Sequence, residues 1–174
     1  MTRATTAAVL AALSLLLVGC GAQDEDKAST AIADSISKAQ KSGGAAQLDV
    51  TAKEADCIGN GWVDTIGTDK LQKYGVLTED MRAEKLLTEV DTLSATDATS
   101  ATSVLFDCAD IPGIMKKLVA GSNQVPKKMQ TCINSALTEK NLRPYLEKNF
   151  QGKAEEAQQE LAAPMAKCAR GAKR

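Results

Sequence analysis

The chain has 174 residues, of which 44% are hydrophobic, 3% aromatic and 25% charged, with 21 Lys and Arg against 22 Asp and Glu. That is the composition of a globular domain rather than of a disordered acidic or basic tail, and a net charge of −1 gives no overall electrostatic footprint for nucleic acid. His is absent, which excludes imidazole as general base, nucleophile orienter or metal ligand.

The first twenty residues read as an address. Met1-Thr2-Arg3 is a short basic start, and Ala7 to Val18 is an uncharged apolar run broken only by Ser14. A membrane-spanning helix needs about 20 apolar residues, so this run suits the apolar core of a signal peptide instead. It ends in Leu17-Val18-Gly19-Cys20, a branched apolar residue and two smaller ones before a Cys. This resembles the lipobox of bacterial lipoproteins; the alternative is an ordinary secretory peptide that contains a Cys. The resemblance implies that residues 1–19 are removed and that the Cys20 thiol takes a diacylglyceryl group. The new amino terminus would then be acylated, typically with palmitate. It places the protein at the cell membrane, lipid-anchored on the extracytoplasmic face. Several acyl chains on one residue stabilise attachment by about 0.8 kcal/mol per buried CH₂. Gly21 rather than Asp follows the Cys, which in a two-membrane bacterium permits passage to the outer membrane. The Ala/Thr-rich style resembles small actinobacterial envelope lipoproteins, in which the protein stays on the plasma membrane.

Removing the first 19 of 174 residues leaves 155, with Arg3 the only charge lost. A chain of about 150 residues is one ordinary domain with room for a core. Beyond Cys20 there are four cysteines: Cys57, Cys108, Cys132 and Cys168. An even number on the oxidising side of a membrane reads as two disulfides. No Cys-x-x-Cys pair is present and there is no His to complete a zinc site, so no metal and no cofactor is expected. Three pairings are open.

In chain order, residues 20–47 read as the lipidated Cys and a flexible tether. Gly21 to Lys27 is polar, and a short helix over Ser29 to Lys41 carries Ile32 and Ile36 on one face before Ser42-Gly43-Gly44 breaks it. The helical domain then spans 48–174. Ala55, Ile58, Trp62 and Ile66 recur at intervals of three and four, a helix stripe that Gly59 and Gly61 weaken by about 1 kcal/mol each. Thr68 to Tyr74 predicts a short helix stopped at Gly75, and Thr78 to Leu93 a partly helical segment carrying Met81, Leu86, Leu87 and Val90. Ser94 with Asp97 three residues on marks the start of a helix through Ala101, Val104, Leu105 and Cys108, ended by Pro112-Gly113. Ile114 to Val119 forms another stripe. Pro126 sits at a tolerated first-turn position, before an apolar face of Met129, Cys132, Ile133, Ala136 and Leu137. Leu142 to Phe150 and Ala154 to Cys168 give the last two helices, with Pro164 a candidate kink. Nothing alternates with period two, so the fold class is all-α: a bundle of short helices held by two disulfides.

An internal repeat is suggested by placing Cys57-Ile58 over Cys132-Ile133 without gaps. This superposes Trp62 on Leu137, Asp64 on Glu139, Leu71 on Leu146 and Lys73 on Lys148. Two similar helical units, each stapled internally, favour the pairing Cys57–Cys108 with Cys132–Cys168.

The remaining motifs carry little chemistry. Gly59-Asn60-Gly61 is a fragment of a phosphate loop without the strand that would precede one. Ser35-Ile36-Ser37-Lys38 and Lys41-Ser42-Gly43 match two penicillin-recognition elements, but these touch in sequence where the reaction needs them from distant regions. Asp107 with Asp110, and Glu155 with Glu156, are candidate paired carboxylates that solvated helix faces also explain. Asp24-Glu25-Asp26 lacks the spacing and turn Gly of a calcium loop. The Thr/Ser run from Thr96 to Ser103 is a surface helix start or a glycan-bearing stretch, and Trp62 is a core anchor or a ligand platform. The expected function is a non-catalytic binding module at the envelope surface, whose partners are the membrane through its anchor and an envelope protein or lipid. The alternative is a carrier of a lipid or small apolar ligand, distantly resembling saposin-type proteins but without their cysteine spacing. No enzymatic activity is expected.

Overall fold

A computed structural model of the chain describes residues 21–41, 49–85, 89–121 and 126–171. The leader at 1–19, Cys20, the Ser42-Gly43-Gly44 break, Leu48, Leu86 and Leu87 lie outside the described residues. Among the described residues there are eight helices and no strand: α1 (Gly21–Lys41), α2 (Ala52–Ile66), α3 (Thr68–Lys73), α4 (Ala95–Cys108), α5 (Ile111–Gly121), α6 (Lys127–Ala136), α7 (Glu139–Phe150) and α8 (Ala154–Gly171). The all-α reading holds.

α2 is the central element. Its start is fixed by a reciprocal cap, in which the Thr51 hydroxyl accepts from the Glu54 amide and the Glu54 carboxylate accepts from the Thr51 amide at 2.7 Å. Its apolar stripe of Ala55, Ile58, Trp62 and Ile66 is buried as the spacing requires. The glycines that weaken this helix locally are what let its neighbours close on it. A Cβ at Gly59 would clash with the Ser29 carbonyl oxygen of α1, and one at Gly61 would lie 2.5 Å from Val104 Cγ1 of α4. The propensity cost in α2 is therefore exchanged for close helix packing on two sides.

α1 departs from the sequence expectation. Where a tether with at most a short helix over Ser29–Lys41 is expected, a 21-residue helix runs from Gly21, and Ala28, Ile32, Ala33 and Ile36 are buried in the common core. The folded part thus includes residues well before Leu48. Two Ile side chains are too few to hold a helix at ordinary separation. Opposite Gly59 the backbones approach closely enough for Ala28 and Ala33 to contribute contact as well.

The segment after α3 also differs. Thr78 to Leu93 contains no α-helix among the described residues. The Thr78 amide donates to the Arg82 carbonyl at 2.8 Å, the Arg82 amide donates back to the Thr78 hydroxyl at 3.1 Å, and Leu77 and Ala83 form an isolated antiparallel bridge. Met81 takes a positive φ of 57° at the tip. A threonine side chain competing for backbone donors, with a left-handed residue three positions on, turns the chain back instead of propagating a helix. Val76, Leu77, Val90 and Leu93 still reach the core.

Both disulfides form in the expected pairing. Cys57–Cys108 joins α2 to α4 and Cys132–Cys168 joins α6 to α8. The two units share an order of three helices with the first and third stapled. The gapless register breaks down, since Trp62 lies inside α2 whereas Leu137 caps the end of α6. Between the units, Trp62 is fully buried; its Nε1 donates to the Ala101 carbonyl of α4 at 3.3 Å, and its ring meets Phe150 of α7 edge-on at 5.6 Å.

Two outcomes follow for thermal melting. Gly59→Ala overpacks the α1–α2 contact at a cost of about 2 kcal/mol and lowers Tm by roughly 4–8 °C, whereas Gly121→Ala, whose Cβ meets nothing within 4 Å, leaves it within a degree or two. Cys108→Ser removes a cross-link over 51 residues worth about 4 kcal/mol and lowers Tm by roughly 10 °C, with the difference abolished in reductant.

Candidate functional site

The densest polar constellation lies where α3 meets the start of α4. Asp97 is buried, and its carboxylate accepts from Lys70 Nζ at 2.9 Å, from the Tyr74 hydroxyl at 2.7 Å and from the Ser94 hydroxyl at 2.8 Å. Its own amide donates to the Ser94 oxygen, completing the predicted cap. Burial alone would raise the Asp97 pKa. Hydrogen bonds from Lys70, Tyr74 and Ser94, with the Lys70 charge, outweigh that and hold it below the usual carboxylate value. A general base needs a free lone pair aimed at a substrate, and this carboxylate is occupied by the chain's own donors. It closes α3 onto α4. The Ser94–Asp97 half was legible in sequence; Lys70 and Tyr74, 27 and 23 residues distant from Asp97, carry no local signal that would reveal them.

The other sequence candidates are dispersed. Asp110 Oδ1 accepts from the Gly113 amide at 2.9 Å in the first turn of α5, while Asp107 is exposed on α4. Glu156 pairs with Lys148 of α7 at 2.6 Å, a hydrogen bond that lowers its pKa and raises that of Lys148, and Glu155 is exposed beside it. In each pair one carboxylate is engaged, Asp110 by the Gly113 amide and Glu156 by Lys148, while the other is exposed. Ser35 donates to the Ile32 carbonyl within α1, and Lys38 is exposed. The Gly59-Asn60-Gly61 fragment lies inside α2 and Trp62 is a core anchor. Asp24, Glu25 and Asp26 follow one another in the first turns of α1. In the Thr96–Ser103 run, Asp97, Ala98, Ala101 and Thr102 are buried, so only part of it faces solvent. Among the described residues no group of three or more Cys, Asp or Glu could hold a metal ion, and no helix is long and apolar enough to cross a membrane.

Both halves contribute sealed apolar side chains: Ile58, Trp62, Leu71 and Leu77 in the first, and Leu137 and Leu142 in the second, are at most 1% exposed. Beside the buried Ile111 and Ile114 of α5 and Ala157 of α8, Leu118, Met129, Ile133, Leu161 and Met165 are half-buried. Ala136, 8% exposed, is the single buried residue of α6. These helices are tied together by packing of α5 on α6 and α6 on α8, and by Cys132–Cys168. Of the partly buried residues, Ile133, Leu161 and Met165 pack against the core.

The chain matches no family model, and neither a curated protein nor a solved structure shows significant similarity to it.

Asp97 generates a pH dependence. A carboxylate whose folded pKa is depressed contributes stability that is present above its unfolded value of about 3.8 and is lost as pH falls through the lower folded value. Asp97→Asn therefore lowers stability at neutral pH by about 2 kcal/mol, or roughly 4–8 °C in Tm, and the gap from the natural protein narrows below pH ~4. Melting curves from pH 7 to pH 2 read both effects.

Proposed function

We propose that this protein is a lipid-anchored binding module of the cell envelope, held at the extracytoplasmic membrane face by acyl chains on Cys20 and working through its surface rather than by catalysis. The observation that carries the reading is that α5, α6 and α8 leave Leu118, Met129, Ile133, Leu161 and Met165 only partly buried on a frame cross-linked by Cys132–Cys168. Apolar side chains left partly buried on a disulfide-stapled frame are what association with another molecule uses. The buried polar groups of Asp97 and the surface pairs Lys148–Glu156 and Lys117–Asp49 are engaged with one another, which suits a scaffold. The lipobox-like Leu17-Val18-Gly19-Cys20 supports the anchor, and the two disulfide pairings suit an oxidising compartment.

The test is native mass spectrometry of the protein extracted gently from its own membranes, with and without reductant. The expected covalent mass is that of residues 20–174 plus acyl groups, rising by four hydrogens on reduction. The expected non-covalent state is empty or bound to another protein. An unmodified Cys20 overturns the anchor. A co-purifying lipid or small apolar molecule replaces the binding module by a carrier.

A further inference from the structure

The two disulfides differ in access. Cys57 is exposed on α2 and its partner Cys108 is half-buried, whereas Cys132 is half-buried and Cys168 is only 5% exposed. Exchange with an outside thiol depends on which sulfur the attacking thiolate can reach. A covered pair is reached only when the fold around it opens. Cys57 is therefore the point of entry.

The bond also sits at one end of the contact it fastens. Cys57 is bonded to Cys108, Gly61 faces Val104, and Trp62 donates to the Ala101 carbonyl, so positions rise along α2 as they fall along α4. The two helices run antiparallel. One end of their contact is held without the disulfide, by buried Trp62 with its hydrogen bond and by the close fit of Gly61 on Val104. The other end is the last turn of α4, which only Ala109 and Asp110 separate from α5. α5 itself packs on α6 and α7. Breaking Cys57–Cys108 thus removes the covalent tie between α2 and the α4–α5 joint while the tryptophan end stays docked.

We propose that Cys57–Cys108 is a redox-operated clamp on the α4–α5 joint, opened by the dithiol of a reductant protein, with Cys132–Cys168 as the permanent staple. This goes beyond the binding-module reading and holds whether or not Cys20 is acylated. In the first step a reductant thiolate bonds to Cys57 Sγ, the Cys57–Cys108 bond breaks, and Cys108 leaves as a thiolate that takes up a proton. The second thiol of the reductant then loses its proton and attacks the reductant sulfur of the mixed disulfide. Cys57 is released and protonated. The reductant ends oxidised to a disulfide, and its two electrons reside in the two thiols of the protein. An exposed disulfide whose loss loosens one joint of an otherwise packed core is the kind of bond that redox switching uses.

The test uses the full mature protein in detergent without denaturant, and dithiothreitol as the probe dithiol. Samples are quenched with iodoacetamide over time and read by intact and peptide mass. A species alkylated on Cys57 and Cys108 is expected to accumulate, with Cys132 and Cys168 modified about tenfold more slowly or less. In that species, amide hydrogen exchange at residues 105–110 is expected to rise about tenfold, while Trp62 emission stays that of the oxidised protein. Without alkylation, reoxidation is expected to restore the original exchange. Loss of both disulfides together, or of Cys132–Cys168 first, overturns the proposal, because access is then governed by opening of the whole fold. Selective reduction with unchanged exchange also overturns it, because the bond is then accessible but clamps nothing. A Cys57→Ser/Cys108→Ser variant is expected to reproduce the exchange of the reduced species with Trp62 emission unchanged. Exchange like that of the oxidised protein in this variant overturns the clamp by a route that needs no reductant. Alkylation of Cys20 before dithiothreitol is added counts against the membrane anchor alone.

Discussion

The indole of Trp62 is the junction on which the two stapled units depend. It is fully buried, its nitrogen is satisfied by a carbonyl of α4, and its ring stands edge-on to Phe150 at the end of α7. The chain has one Trp, two Tyr and two Phe, so little else could fill a junction of that size. The disulfides act differently, because neither crosses between units: one closes α2 on α4, the other α6 on α8. Each cross-link restricts its own half of the unfolded chain, while packing at Trp62 and the sealing of Leu93, whose amide donates to the Phe150 carbonyl at 2.8 Å, bring the halves into one core.

Small residues set how closely the first unit packs. Gly59 and Gly61 cost α2 intrinsic helicity, yet they face the Ser29 carbonyl and Val104 at distances no side chain could share. That close approach is why α1 belongs to the core with only two Ile. It also changes how the proposed anchor would be carried. The residue after Cys20 already begins a helix about 30 Å long, part of whose face is buried against the bundle, so the acyl chains would be joined to the core by helix rather than by a flexible tether.

Helix identity, the Ser94 cap and the buried stripe of α2 were legible in local spacing and the number of disulfides in the parity of cysteines, while the pairing was reached only through the suggested repeat of two stapled units. The turn at Thr78–Arg82 was not. Its apolar residues fall at helix-compatible intervals, and the conformation is decided by a threonine side chain and a positive φ at Met81, neither of which periodicity registers. The depth of α1 was missed for another reason. Burial there depends on a glycine in a different helix, which a reading of α1 alone cannot weigh. Lys70 and Tyr74 converge on Asp97 only through the tertiary arrangement of α3 on α4.

Charge shows the same dependence on arrangement. A whole-chain balance of −1 is the sum of a basic part without acids and an acidic remainder, and the two acid-free segments are separated in sequence by α7 and the start of α8. Folding links α6 of the first segment, residues 111–138, to α8 of the second, residues 161–174, through Cys132–Cys168, on helices where Met129, Ile133 and Met165 stay only partly buried. Half-exposed apolar groups forgo part of the burial they could have had. That works against the stability of this half, while the disulfide works for it.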